Sequence, residues 1–421
     1  MMVRHRATAR APSAASADPA PAARAAHAGS PRATLFAAAL VGLVGGMLAA
    51  GCGSTVASSG APAAARAPIP PSLSTSLTVS GGGSWALVDM GGSRARYENF
   101  WQLIARPAAT ARWALATPPG VADNGGLVAA PLGGPALVIG VNPSQDLTFS
   151  PLATTRDSGA HWTPGLLPAG LASVPSALAG GPGGKLLALT NRGLAEMSAP
   201  GGTGWARLAS LASLAATPAG RSCGLKSLTA AAFSPSGVPL LAGQCGSPGV
   251  SGIFSYAGGS WHQAGPALPA ALAHRRVSVL RLTTAAGRTV ALLTAAAPDG
   301  TASLTAAWAG AGGRWALSAA LPLGGARILS TATGPASAAG VVLSTGRAET
   351  IADATAHWQQ LPALPAHAAA LVLGPGLQIS VLAASGGILA SWRLTARAGA
   401  RPVAWTRTQV MKVPVPYGSS S

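Results

Sequence analysis

Short apolar runs of roughly five to eight residues, separated by clusters of glycine, proline and serine, recur from Ser76 to Trp405. The pattern is plainest in SLTAAAF (Ser227 to Phe233), the turn SPSG, VPLLAGQ (Val238 to Gln244), SGIFSYAG (Ser251 to Gly258) and SWHQAG from Ser260. Bounded runs of this kind are strand signals. The same order occurs earlier as SLTVSGGGSWALVDM (Ser76 to Met90), ENFWQLIARP (Glu98 to Pro107) and RWALATPP (Arg112 to Pro119). Most runs are apolar at successive positions rather than at alternate ones. That predicts strands buried on both faces, in sheets packed between neighbours.

Each unit ends in a tryptophan followed by a tail that usually holds proline: Trp113, Trp162, Trp205, Trp261, Trp315, Trp358 and Trp405. The intervals are 49, 43, 56, 54, 43 and 47 residues, the period of four-stranded propeller blades. The expectation is an all-β fold, a β-propeller of seven four-stranded blades over 74-417, with a short tail at 418-421. Blades are placed at about 74-119, 120-169, 170-215, 216-269, 270-322, 323-365 and 366-417. A six- or eight-bladed ring and a pair of packed β-domains are the alternatives. A lone blade cannot bury its two apolar faces, so the last blade must meet the first. Val413-Pro414-Val415-Pro416 is a candidate cover for an outer edge, because proline cannot donate to a sheet ladder.

Composition supports this reading. Of 421 residues, 49% are hydrophobic and only 9% charged, which excludes disorder of the charged, low-hydrophobicity kind. The 55 glycines and 35 prolines suit many short strands and would interrupt long helices. The abundance of alanine is set aside as a helix signal, because alanine, arginine, glycine and proline together have the look of a GC-rich coding bias. Net charge is +18 and falls to +14 without the five arginines and one aspartate that precede Cys52. A basic surface attracts anionic polymers and lipid head groups. No nucleic acid partner is expected, since basic and aromatic residues do not interleave as in the known modules.

The first fifty residues read as an address. A basic, proline- and alanine-rich stretch to Arg32 gives way to ATLFAAALVGLVGGMLAAG (Ala33 to Gly51), and Cys52 follows directly. A positive region, an apolar region and small residues before a cleavage point make a secretory signal. With cysteine first after the small residues, segment 1-51 resembles a bacterial lipoprotein signal peptide, although Ala49 stands where that family usually has leucine. The resemblance implies a lipidated Cys52, a flexible tether over 52-73 and a body held at the outer face of the cytoplasmic membrane. An uncleaved membrane anchor and free secretion are the alternatives, since the 19 uncharged residues approach bilayer-spanning length.

Thr155, Asp157, Gly159 and Trp162, in TRDSGAHW, resemble the Asp-box or BNR repeat of sialidase-like propellers. That resemblance implies a structural turn at the blade periphery. Asp157 would accept from N–H groups two residues on, Gly159 would take a positive φ, and Trp162 would seal the gap beneath the turn. AGGSW and AGGRW keep the glycine at Trp261 and Trp315 and lose the acid, so the aspartate is expected in one copy only. A sialidase would need three arginines, a tyrosine nucleophile with its glutamate, and an aspartate acid. Tyr97 and Glu98 are adjacent and would face opposite ways on a strand, and Arg106-Pro107 only approaches the family's Arg-Ile-Pro element. Asp89 and Glu349 could pair only across the ring. No catalytic residue, cofactor or metal is assigned; His161, His262 and His357 adjoin blade tryptophans and read as turn residues.

With Cys52 taken by lipid, Cys223 and Cys245 remain in an oxidising compartment. They lie symmetrically about residue 234, beside the Ser234–Gly237 turn, so a hairpin places them opposite each other as a disulfide. The functional expectation is a lipid-anchored extracytoplasmic binding module, monomeric, whose partner is an envelope protein or an anionic polymer. A sialidase-like glycoside hydrolase and an assembly or folding factor of the BNR type are the alternatives.

Overall fold

The computed structural model describes residues 73–78, 83–90, 101–110, 112–118, 126–133, 135–141, 151–167, 173–395 and 404–414. All belong to the compact unit Arg66–Ser421. The expected signal peptide, Cys52, the expected tether as far as residue 72, Tyr97 and Glu98 lie outside the described residues. Strands β1 (Ser74–Thr78), β2 (Ser84–Asp89), β3 (Trp101–Arg106) and β4 (Ala114–Leu115) pair in order as an antiparallel meander. The second meander is β5 (Leu127–Gly133), β6 (Ala136–Val141), β7 (Leu152–Thr155) and β8 (Thr163–Gly165). The third is β9 (Pro175–Gly180), β10 (Leu186–Thr190), β11 (Leu194–Ser198) and β12 (Trp205–Ser210).

The fourth meander runs β13 (Leu225–Phe233), β14 (Pro239–Cys245), β15 (Gly252–Ala257) and β16 (Ser260–Gln263). In the fifth, β17 (Arg276–Ala285), β18 (Arg288–Ala296), β19 (Ala302–Ala309) and β20 (Trp315–Leu317) pair in order, and the short β21 (Leu321–Pro322) also pairs with β19. The sixth is β22 (Ile328–Thr333), β23 (Ala339–Leu343), β24 (Ala348–Ile351) and β25 (Gln359–Gln360). The seventh is β26 (Ala368–Leu373), β27 (Ile379–Ser385), β28 (Ile388–Thr395) and β29 (Ala404–Lys412).

The core shows how the meanders are arranged. Each apolar cluster among the described residues draws on two of them. Trp85 and Leu87 of the first meander pack with Leu137 and Ile139 of the second, while Ala86 and Val88, one residue out of phase, pack with Val372 and Leu382 of the seventh. Alternate residues of one strand therefore feed two interfaces, which is why the runs are apolar throughout. Further clusters join the second meander to the third, and so on round to the seventh. The fold is a β-propeller.

Closure of the ring is made by side chains. Val413 is buried in the cluster shared by the seventh and first meanders, so it enters the core instead of covering an edge. Beside it the Gln409 amide clasps the Trp113 backbone, accepting from its N–H and donating to its carbonyl, both at 2.8 Å. At the centre, β1 runs parallel to β22 and pairs with it from Ser74↔Ser330 to Leu77↔Thr333. β26 is tied to this pair by Ser76 Oγ donating to Leu371 O at 2.5 Å.

Two short helices, α1 (Leu211–Ala215) and α2 (Pro218–Cys223), follow β12. Ser210 and Ser213 cap α1 reciprocally at 2.8 and 3.0 Å, and Thr217 caps α2 through Gly220 N–H at 3.0 Å. The structure contains the Cys223–Cys245 disulfide, with Cα atoms 4.9 Å apart. The expected route to it needs correcting. Cys245 ends β14 opposite Leu225, whereas Cys223 ends α2, and two register shifts in β13 move the strand out of simple hairpin phase. Left-handed Gly224, at φ 60°, turns the chain between them.

Glu196 on β11 is buried, stands opposite Arg207 and leaves one carboxylate oxygen without a partner. Burial pushes its carboxyl above the usual range, and Arg207 offsets that only in part. The protonated form is favoured in the fold, so this site stabilises below the ordinary glutamate range and loses that contribution as pH rises through the raised value. Glu196→Gln is therefore expected to raise the melting temperature at about pH 7 and to leave it unchanged near pH 4, as thermal unfolding at the two pH values would reveal.

Candidate binding cavity

The Thr155–Trp162 turn joins β7 to β8 and is built by its own side chains. Thr155 Oγ1 donates to Asp157 Oδ1 at 2.8 Å and accepts from Gly159 N–H at 2.9 Å. Asp157 accepts from His161 N–H at 2.9 Å, four residues on rather than two, and its Oδ2 lies 2.6 Å from His161 Nδ1. The His161 N–H, the His161 ring and Thr155 together hold its carboxyl well below the usual carboxylate range. Gly159 has φ 96°, and a Cβ there would meet Ala116 Cβ at 2.6 Å. These bonds are all spent on the turn, which does not line the cavity described below.

The acid is not confined to one copy. Asp353 stands five residues before Trp358, as Asp157 does before Trp162, and accepts from Thr355 N–H, Thr355 Oγ1 and Ala356 N–H at 2.8, 2.7 and 3.1 Å. Those bonds lower its carboxyl too, the Thr355 hydroxyl contributing most. DATAHW matches DSGAHW except where Thr355 replaces Gly159 and Ala354 replaces Ser158. With threonine at the glycine position, the second copy departs from the repeat pattern.

Trp162 closes its turn as expected, its Nε1–H donating to Gly159 O at 3.1 Å, and the tryptophans have a second role. Each stands at the start of a meander's fourth strand and packs into the cluster shared with the preceding meander. Trp162, Trp205, Trp261, Trp315, Trp358 and Trp405 do so in succession, and Trp113 does so at the closure. Three indole N–H groups also bond back to that meander: Trp315 to Ala264 O at 2.6 Å, Trp358 to Ala319 O at 3.0 Å and Trp405 to Pro362 O at 3.5 Å. No group of three or more metal-ligating side chains occurs among the described residues. His262 Nε2 lies 2.8 Å from Ser260 Oγ in its own turn, and Glu349 accepts from Arg347 at 2.6 Å.

Concavity lies at the centre of the ring. The inner strands β1, β5, β9, β13 and β17, with Thr331 of β22, line a cavity of about 310 Å³. Its walls are mostly aliphatic, including Leu77, Val128, Leu178, Ala230 and Leu280. Hydroxyls and one amide interrupt them at Thr75, Ser176, Asn191, Ser278 and Thr283. Trp85 also lines it, and its buried indole N–H has no partner. Among the described residues, Arg281 is the one ionisable group in the lining. Its Nη1 donates to Thr331 O at 3.0 Å and Thr331 Oγ1 at 2.8 Å, and its Nη2 to Ser76 O at 3.0 Å. Desolvation lowers its guanidinium to about 10, so it remains a cation at neutral pH.

A sequence signal for Arg281 exists, but only once the strands are aligned by their irregularities. β17, β22 and β26 each carry one register shift, around Leu280, Leu329 and Ala369, and the second of the two shifts in β13 falls around Thr229. Such bulges re-aim the side chain that follows. The following residues are Ala230, Arg281, Ser330 and Ala370. Three are small, and Arg281 departs from the repeat.

No family model matches the chain, and no curated protein matches it. Among solved structures it is similar to YCF48 from Cyanidioschyzon merolae, at 14% identity over 77% of this chain and 94% of that one, with a TM-score of 0.42. YCF48 has also been solved bound to a D1 peptide, at the same identity and TM-score over 78% and 91% of the two chains. PorZ, a surface component of the type-IX secretion system of Porphyromonas gingivalis, is 12% identical over 80% of this chain and 45% of its own, with a TM-score of 0.39. The fold assignment rests on the strand pairing and shared cores above, not on these distant likenesses.

Proposed function

We propose that this chain is a lipid-anchored extracytoplasmic β-propeller that works by binding, with each of its seven meanders one blade, Cys52 its anchor and the central cavity its site. In this reading the Thr155–Trp162 turn is an Asp-box of the BNR type with a structural role. The partner is an envelope protein or an anionic polymer, met by a single ring carrying an excess of positive charge. One observation carries the proposal: five inner strands enclose a mostly apolar cavity with a few convergent polar groups, the common makeup of a ligand site.

Proximity labelling from the propeller on intact cells tests it. The wild type is expected to enrich a reproducible set of neighbours, and Thr283→Trp, which fills the cavity, to lose them. The same set from the filled variant would move the site elsewhere. Cys52→Ala is expected to leave the membrane fraction, and unchanged fractionation would reject the anchor.

A further inference from the structure

Arg281 is a cation in a place that disfavours one. It faces an apolar cavity, and among the described residues no carboxylate pairs with it and no other ionisable group lines the walls. Arg281 is half-buried, and a partly desolvated charge held only by neutral acceptors leaves a cost that an opposite charge would relieve. The repeat does not require it, since the matching positions in three other inner strands are Ala230, Ser330 and Ala370. A strut across the ring would account for its bonds to Ser76 and Thr331, but a neutral polar side chain would serve there without the charge.

The guanidinium carries five N–H donors. Three bonds run from Nη1 and Nη2 to Thr331 and Ser76, leaving Nε–H and one Nη2–H without a partner in those bonds. Two donors on a planar group suit the two oxygens of a carboxylate. One positive charge balances one negative charge, whereas a dianionic phosphate would leave an uncompensated charge against aliphatic walls. The remaining lining offers apolar surface from Leu77, Val128, Leu178 and Leu280. At about 310 Å³ the cavity lies at the small end of ligand sites, which run from roughly 300 to 1,000 Å³, so it takes a short chain or a chain end.

We infer that the central cavity binds an apolar chain ending in a single carboxylate, with Arg281 holding the carboxylate and the aliphatic inner-strand residues holding the chain. The inference rests on the cavity being the binding site, as proposed above. A free acyl acid and the C-terminal residues of an apolar peptide both present this chemistry.

Equilibrium dialysis of labelled octanoate against the full-length protein is the test, with 1-octanol and octyl phosphate as comparison probes. The wild type is expected to bind octanoate at least tenfold more tightly than either comparison probe. Arg281→Met, of similar bulk without charge, is expected to lose that preference while still taking up octanol. Equal affinity for octanoate and octanol in the wild type, or an unchanged octanoate affinity in Arg281→Met, would overturn the assignment. Should Arg281→Met fail to fold, Arg281→Lys keeps the charge and removes the fork, and an octanoate affinity there equal to wild type would equally overturn it. Acetyl-Leu-Val-Val as free acid and as amide separates the sources: preference for the acid form at higher affinity than octanoate assigns a peptide terminus, and the reverse order assigns an acyl acid. Failure of every acid while Thr283→Trp still abolishes labelling would refute the carboxylate and leave the cavity standing. Loss of neither labelling nor octanoate binding on filling the cavity would refute the cavity itself.

Discussion

Replacing both Cys223 and Cys245 by alanine will lower the free energy of unfolding by about 3 kcal/mol, the loop-closure value for a crosslink spanning roughly twenty residues. The bond closes a segment with a sequence separation of 22, holding α2 and β13 against the end of β14. Both cysteines are buried in the cluster shared by the third and fourth meanders, beside Leu225 and Phe254, so the alanines also forfeit packing. Denaturant unfolding of the double variant beside the oxidised and reduced wild type measures the effect. Reduced wild type should fall to nearly the same midpoint as the variant, because the crosslink contributes most of the difference. A variant as stable as oxidised wild type would mean that the helices hold this corner without it.

The second large effect lies at the ring closure. Trp113→Ala is expected to cost about 3–5 kcal/mol, the range for removing a large buried aromatic. Its ring is 4% exposed, packs among Ala86, Ile104, Val372 and Val413, and lies 5.1 Å beneath the Arg106 guanidinium. Gln409→Ala should cost less, about 1–2 kcal/mol for two hydrogen bonds to a partly buried backbone. Hydrogen exchange read by mass spectrometry would separate a local opening from a general loss. Deprotection is expected first in β1 to β4 and β26 to β29, and a uniform rise around the ring would contradict the view that this interface is the seam.

Much of the architecture was legible because a strand buried on both faces cannot alternate. SLTAAAF and VPLLAGQ marked β13 and β14 to within two residues at their ends, and the tryptophan spacing located a fourth strand in every meander. Other features were hidden for physical reasons. Helices α1 and α2 carry local signals, with Ser210 and Ser213 as a reciprocal cap, Pro218 at a first turn and Gly224 at an end, but at five and six residues they are too short for an apolar periodicity to mark them. Asp353 was masked by the threonine two residues after it. That tryptophans join neighbouring meanders, and that β1 pairs with β22, are facts of long-range geometry with no local trace. The cavity cation was hardest to see, because Arg281 is conspicuous only against positions aligned through a bulge that the sequence does not announce.

A ring of similar units offers as many similar niches as it has units, and a ligand in such a ring has no reason to choose one. The β1–β22 pair removes that degeneracy. It draws the first and sixth meanders together, and β26 contributes nothing to the cavity lining. The lumen is thereby off-centre and, among the described residues, carries a single charge on one wall, so successive units are no longer equivalent to a guest. On the proposed binding, occupancy would have a single stoichiometry, one guest per ring, in one rotational setting.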